Sequence, residues 1–231
     1  MSNSPLVTTV IKSPNHSGIR KHSIDRITPH CVVGQFTAAG ICGIFVPKTR
    51  KASSNYVIGF NGDIGLSVDE NMRSWCSSSN SNDQRAVTIE CASDVKHPYT
   101  MTSAVWRSLI SLCIDICSRN KKKHLLWIPN KEKALSYKPE EDEMLITVHR
   151  WFANKACPGD WLYHRLPTLA EIVTDSLREP NYDTYVVVKG DTLWGIASKK
   201  LGSGYRYTEI MAFNGMKTIN IVPGQVLKLP R

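Results

Sequence analysis

The sequence predicts an α/β protein of two domains, a larger one of strands and helices followed by a small β-α-α-β unit. Three observations predict it. Strand-like apolar segments alternate with helical stretches over residues 23 to 178. Asn61-Gly62 joins two strand-like segments, the strongest short hairpin signal. From Thr184 onward the chain reads strand, turn, helix, helix, strand. A length of 231 residues also exceeds one average domain.

Taken in order, residues 1 to 22 are polar and rich in Ser, Asn and Pro, which predicts a loosely held lead-in with His16 and His22 exposed. Ile24 to Gly34 is the first strand, and Ala38 to Val46 a short helix. Asn55 to Phe60 and Asp63 to Val68 form the hairpin, and Ala86 to Ala92 is a further strand. Thr102 is placed to cap a helix running to about Asn120, with Val105, Leu109, Cys113 and Ile116 on one face. Lys121 to Lys123 complement the dipole at its end. Leu125 to Ile128 is a short strand, Glu140 to Glu143 an exposed loop, and Leu166 to Leu177 a closing helix. Residues 179 to 183 form a polar junction, so short that the two domains cannot separate far.

Hydrophobic residues make up 42% and charged residues 21%, the composition of a globular protein. No segment approaches the roughly 18 consecutive apolar residues that span a membrane, and Met1 to Ile11 has no signal-peptide pattern. Synthesis in the cytoplasm is the expectation. The net charge of +9 favours a polyanionic partner. No nucleic-acid motif accompanies it, and anionic polymers such as those of cell walls would fit equally well. Seven cysteines without paired spacing are not a disulfide framework, and most of them, Cys157 set apart, read as small buried apolar residues.

His30, His149 and Cys157 suggest a metal site. Two imidazoles and a thiolate with an open fourth position suit zinc, which lowers the pKa of a coordinated water to about 7. Spacing alone leaves chance assembly open. The local sequences decide the matter: His149, Lys155, Cys157, Pro158 and Gly159 match the pattern H-x5-K-x-[CD]-P-G. With Ser53 to Ile58, Arg73-Ser74-Trp75, Asn82-Asp83 and Ala86 to Glu90 in order, residues 22 to 178 resemble the zinc-dependent N-acetylmuramoyl-L-alanine amidases. That family includes phage endolysins, bacterial autolysins and peptidoglycan recognition proteins.

The resemblance implies a mixed central β-sheet flanked by helices, one catalytic zinc held by His30, His149 and Cys157, and cleavage between N-acetylmuramic acid and L-alanine. It implies Glu90 as general base, Tyr56 beside the metal, Lys155 stabilising negative charge, and substrate contacts at Trp75 and Asn55. Asn55 and Cys76 stand where many relatives carry His. His97, His124 and His164 lack motif context and read as structural or exposed.

Residues Thr184 to Leu229 resemble a LysM domain, with the signature at Tyr185 to Ala197. A glycan groove is implied at Gly190, Asp191, Thr192, Leu193, Asn220 and Ile221, and Trp194 is expected in the core. The domains implied are 23 to 178 and 184 to 231. The partner implied is peptidoglycan, with no membrane insertion. A phage or prophage endolysin released through a holin pore is the expected role. The rivals are an exported autolysin, a non-catalytic recognition protein, and a zinc peptidase cutting within the stem peptide.

Overall fold

A computed structural model describes residues 2–178 and 182–230. The chain divides into two compact units, 1–177 and 178–231.

In the first unit the strands are β1 (Thr9–Val10), β2 (His16–Ile19), β3 (Arg26–Cys31), β4 (Tyr56–Ile58), β5 (Ile64–Leu66), β6 (Met72–Ser74), β7 (Ala86–Cys91), β8 (His124–Leu126) and β9 (Glu143–Ile146). The helices are α1 (Ala38–Ile44), α2 (Asn80–Arg85), α3 (Ser103–Arg119), α4 (Lys131–Ser136), α5 (Asp160–Tyr163) and α6 (Leu166–Leu177). Seven strands form one mixed sheet in the order β1-β5-β4-β7-β3-β9-β8. β4, β7, β3, β9 and β8 run parallel, while β5 turns back against β4 through the Asn61-Gly62 hairpin. Strands buried on both faces read as continuous apolar runs, which is why β7 and β9 show little alternation.

Thr102 caps α3 by accepting from the Val105 N–H. The face expected from helical spacing is the buried one: Val105, Leu109, Leu112, Cys113, Ile116 and Cys117 enter the core. Each buried Leu or Ile contributes roughly 1.5–3 kcal/mol on leaving water. α3 packs on α6 and β4, and α1 on β4 and β5.

Residues 2–22 are not a loose lead-in. β1 runs parallel to β5 and covers that sheet edge, and β2 pairs with β6. Ser4, Ser13 and Asn15 are buried. Asn15 Nδ2 donates to the carbonyls of Phe45 and Pro47. The polar composition that suggested a free segment instead serves buried hydrogen bonds. His16 lies within β2 and is half-buried, whereas His22 is exposed. The acidic segment ends in order as well, since Glu143 begins β9.

The second unit holds β10 (Tyr182–Val186), α7 (Leu193–Leu201), α8 (Tyr207–Phe213) and β11 (Val226–Pro230), with β10 and β11 antiparallel. Tyr182 and Asp183, expected in the junction, already belong to β10. Residues 179–181 lie outside the described residues. Thr192 caps α7 through the Gly195 N–H, and Val187, Leu193, Ile196, Ala197, Ile210, Leu227 and Leu229 form a separate small core. All seven cysteines are free thiols. Among the described residues no helix is long and apolar enough to cross a membrane.

Candidate metal site and adjoining cleft

β3 and β7 lie side by side in parallel register, with His30 opposite Glu90. Register partners share a sheet face, so the strands alone deliver an imidazole and a carboxylate to one place. His149 arrives where the chain leaves β9 and enters a short 3-10 turn. The rings of His30 and His149 have centroids 5.1 Å apart. His30 Nδ1 lies 3.3 Å from Cys157 Sγ. Candidate donor atoms of His30, His149 and Cys157 all fall within 4.8 Å of one another. His30, Cys76 and Glu90 form a second, overlapping set under the same limit.

The loop that presents Cys157 is held from several sides. The Arg150 N–H donates to the Cys157 carbonyl, and the Arg150 guanidinium reaches both the Ala156 carbonyl and Asp160. Its cation also lies over the Tyr163 ring, 4.6 Å from the centroid. Gly159 has φ +82°, and a Cβ there would meet Tyr99 Cβ at 2.8 Å. This close approach accounts for the glycine after Cys157-Pro158.

Burial pulls the His30 imidazole well below its usual range, with His149 adding to the effect. His149 is lowered by burial and then by Lys155. Both rings are therefore neutral near pH 7, the state in which imidazole binds a metal. Burial, with Cys31 beside it, pushes the Cys157 thiol upward. A bound cation reverses that preference and draws the thiolate. His30 Nε2 is buried without a hydrogen-bond partner. An unpartnered buried polar atom is costly, and a cation beside it would supply what is missing. Two nitrogens and a sulfur are a donor set that suits zinc geometry.

Glu90 rises to about 7, chiefly by burial, with the Cys76 thiol at 3.8 Å and the charge of Arg50 opposing. A carboxyl poised near neutrality can both take and return a proton. A cleft of about 630 Å³ opens above it, bordered by Arg50, Trp75, Cys76, His149 and Lys155. A smaller lobe of about 270 Å³ reaches Cys157, Val33 and Tyr99 and shares Arg50, Glu90, His149 and Lys155 with the first. Lys155 is exposed on the rim of both lobes, and Trp75 lines the larger one, its indole N–H donating to Ser17.

Two expected site residues stand elsewhere. Tyr56 pairs with Ile89 while Val57 pairs with Glu90, so Tyr56 faces the opposite side of the sheet from Glu90. Its hydroxyl donates to Glu70 at 2.7 Å and accepts from the Ser4 N–H at 2.8 Å. Asn55 is fully buried, its Oδ1 accepting from the Thr88 N–H and Arg20 and its Nδ2 donating to the Asp69 and Met72 carbonyls. It is saturated by the fold and offers nothing to a substrate. Sequence reasoning missed Arg50, whose 3-10 turn carries no motif, and Ser78, whose hydroxyl meets His149 Nε2 at 2.9 Å. A cation near the carboxylate and a hydroxyl on a ligand ring are set by tertiary approach, so no spacing announces them.

In the second unit a groove of about 600 Å³ is lined by Asp191, Thr192, Leu193, Trp194, Tyr207, Ile219, Asn220 and Ile221. Five of the six residues expected there line it. Gly190 instead forms the preceding turn with φ +92°. Asp191 holds that turn, accepting from the Val188 N–H and the Tyr185 hydroxyl. Trp194, expected in the core, is 48% exposed.

Comparison with known proteins agrees with this arrangement. Residues 185–230 match the LysM domain model. A 46-residue stretch is 52% identical to the N-acetylmuramoyl-L-alanine amidase sle1 of Staphylococcus saprophyticus subsp. saprophyticus, covering 20% of this chain and 13% of that protein. The crystal structure of a Se-Met AmpD derivative has the same fold at 16% identity, with TM-score 0.50, over 70% of this chain and 93% of that one. The endolysine N-acetylmuramoyl-L-alanine amidase LysCS from Clostridium intestinale URNW is 16% identical, with TM-score 0.45, over 70% of this chain and 95% of that one. Residues 20–160, more than half of the sequence and the part that carries His30, Glu90, His149 and Cys157, match the N-acetylmuramoyl-L-alanine amidase model, and the chain belongs to that family.

Proposed function

We propose that the chain hydrolyses the amide between the lactyl group of N-acetylmuramic acid and L-alanine in bacterial peptidoglycan. The observation that carries this reading is the meeting of His30, His149 and Cys157 beside the Glu90 carboxyl, the register partner of His30. His30, His149 and Cys157 would hold one zinc ion. Bound there, zinc supplies Lewis-acid polarisation of the scissile carbonyl and a nucleophile available at neutral pH. Glu90 takes the proton of the attacking water and returns it to the departing alanine nitrogen. Lys155, on the rim of both lobes, offers positive charge where negative charge develops on the carbonyl oxygen. Trp75 gives the larger lobe an apolar wall against which substrate packs.

The LysM unit would hold the enzyme on its polymeric substrate by binding N-acetylated glycan, raising its effective concentration there. The basic tail, with seven Lys and Arg against two Asp and Glu from Thr184 onward, would add attraction to anionic wall polymers. A compact catalytic unit joined to a wall-binding module supports the role of a phage or prophage endolysin reaching the wall through a holin pore. Co-expression tests that role: lysis that needs a pore protein supports it, and lysis without one points to an autolysin with its own route.

The decisive test compares the wild type with Cys157→Ser for zinc content and wall digestion, read by mass spectrometry of released fragments. About one zinc per chain in the wild type, stem peptides with new L-alanine amino ends, and loss of both in the variant support the proposal. A wild type that binds walls but frees nothing would make the chain a recognition protein. Cleavage inside the stem peptide would make it a peptidase.

A further inference from the structure

The groove of the second unit does not stop at the residues that line it. Trp194, on its wall, continues outward into Tyr205, which is 78% exposed. The two rings meet edge to face, with centroids 4.7 Å apart and planes at 71°. The Tyr207 ring, which also lines the groove, has its centroid 6.2 Å from that of Trp194. Trp194 thus neighbours one aromatic ring that lines the groove and one on open surface.

The backbone is shaped to seat Trp194. Gly204 is buried, and a Cβ there would stand 2.2 Å from Trp194 Cε2 and 2.4 Å from Nε1. Its φ is not in the left-handed region, so its identity answers to the indole lying against it. The ring therefore lies close against the backbone at Gly204 and meets Tyr205 edge to face. Leaving two large aromatic side chains this exposed forgoes the burial that would stabilise the unit, as expected of a surface completed by a ligand.

We infer that Trp194 and Tyr205 form an additional sugar subsite, on which a β-1,4-linked N-acetylated amino-sugar chain leaving the groove stacks one further ring. The chemistry favours this occupant. The apolar C–H face of a pyranose covers an aromatic ring, while its hydroxyls stay in water at an open site. Trp194 lines the groove and touches Tyr205, so a polymer leaving the groove on the Trp194 side meets this pair. The inference rests on the glycan-binding reading of the groove.

The test uses the full chain and soluble N-acetylglucosamine oligomers, short ones that fill the groove and long ones that also reach the aromatic pair. These oligomers lack the lactyl-peptide bond and survive the amidase. Isothermal titration of the wild type is expected to show tighter binding of the long oligomers. Tyr205→Ala is expected to weaken only the long ones, by roughly three- to tenfold, while Tyr205→Phe keeps the wild-type preference. Circular dichroism checks that the variants remain folded, as substitution at so exposed a position allows. Equal weakening of short and long oligomers would mean that Tyr205 only props Trp194, and would overturn the subsite. So would a wild type indifferent to length, with the groove reading intact. A wild type that binds no oligomer of any length would remove the groove reading and the subsite together.

Discussion

The Tyr56 hydroxyl donates to the Glu70 carboxylate at 2.7 Å, on the sheet face opposite to Glu90. Glu70 is fully buried and also receives the Arg119 guanidinium, which holds Asp115 as well. Burial and the neighbouring carboxylate keep the phenol protonated. Tyr56 therefore ties β4 to α3 and, through Ser4, to the N-terminal segment.

Tyr56→Phe should accordingly act on stability and leave the chemistry alone. It removes one hydrogen bond from Glu70 and one acceptor from the Ser4 N–H. The expected loss is roughly 1–3 kcal/mol, read by urea unfolding, with kcat unchanged. A large fall in kcat at undiminished stability would return Tyr56 to the catalytic machinery.

Glu90→Gln should do the reverse. The amide preserves shape but cannot exchange a proton, so kcat is expected to fall by roughly 10²–10⁴. Metal content should be retained, because His30, His149 and Cys157 are untouched. Elemental analysis beside the activity assay separates this outcome from loss of the ion, which would mean that Glu90 belongs to the donor set with Cys76.

Metal removal should loosen the first unit as well as silence it. Without a cation, His30 Nε2 remains buried and unpartnered, and a ligand that binds only the folded chain stabilises it by mass action. A strong chelator is expected to lower Tm and abolish wall digestion, with both restored by zinc. An unchanged Tm after proven metal loss would show that the site is held by the loop contacts of Arg150 alone.

Asp69 should make the N-terminal segment sensitive to acid. It accepts from Asn3 and is paired with Lys12, and the Lys12 bond chiefly holds its carboxyl below the usual range. A folded pKa below the unfolded one, ~3.9, means that ionised Asp69 contributes stability above that value. The contribution is lost as pH falls through the lower folded pKa. The side chains are 33% and 45% exposed, so the effect is small. Acid unfolding of Asp69→Asn should run shallower than the wild type below the unfolded pKa. Parallel curves would assign the acid sensitivity to other carboxylates.

Much of the fold was legible in the chain. The α3 face, its Thr102 cap and the Asn61-Gly62 hairpin are local features, governed by side-chain period and turn chemistry. The β10, α7, α8 and β11 order was legible for the same reason, although β11 begins only at Val226, after the turn at Gly224. His30, His149, Cys157 and Glu90 stood out because the motif carries them, and they converge in space.

What the sequence by itself determined was the residue types, the local elements and the family pattern. Only the tertiary structure decided which side chains share a face. Tyr56 and Val57 are adjacent, yet strand alternation sends the tyrosine away from Glu90. Likewise a polar N-terminal stretch reads as solvated until a sheet edge and buried carbonyls take up its hydrogen bonds. Arg50 and Ser78 reach the site, and Tyr205 reaches Trp194, through approaches set by packing and not by spacing along the chain.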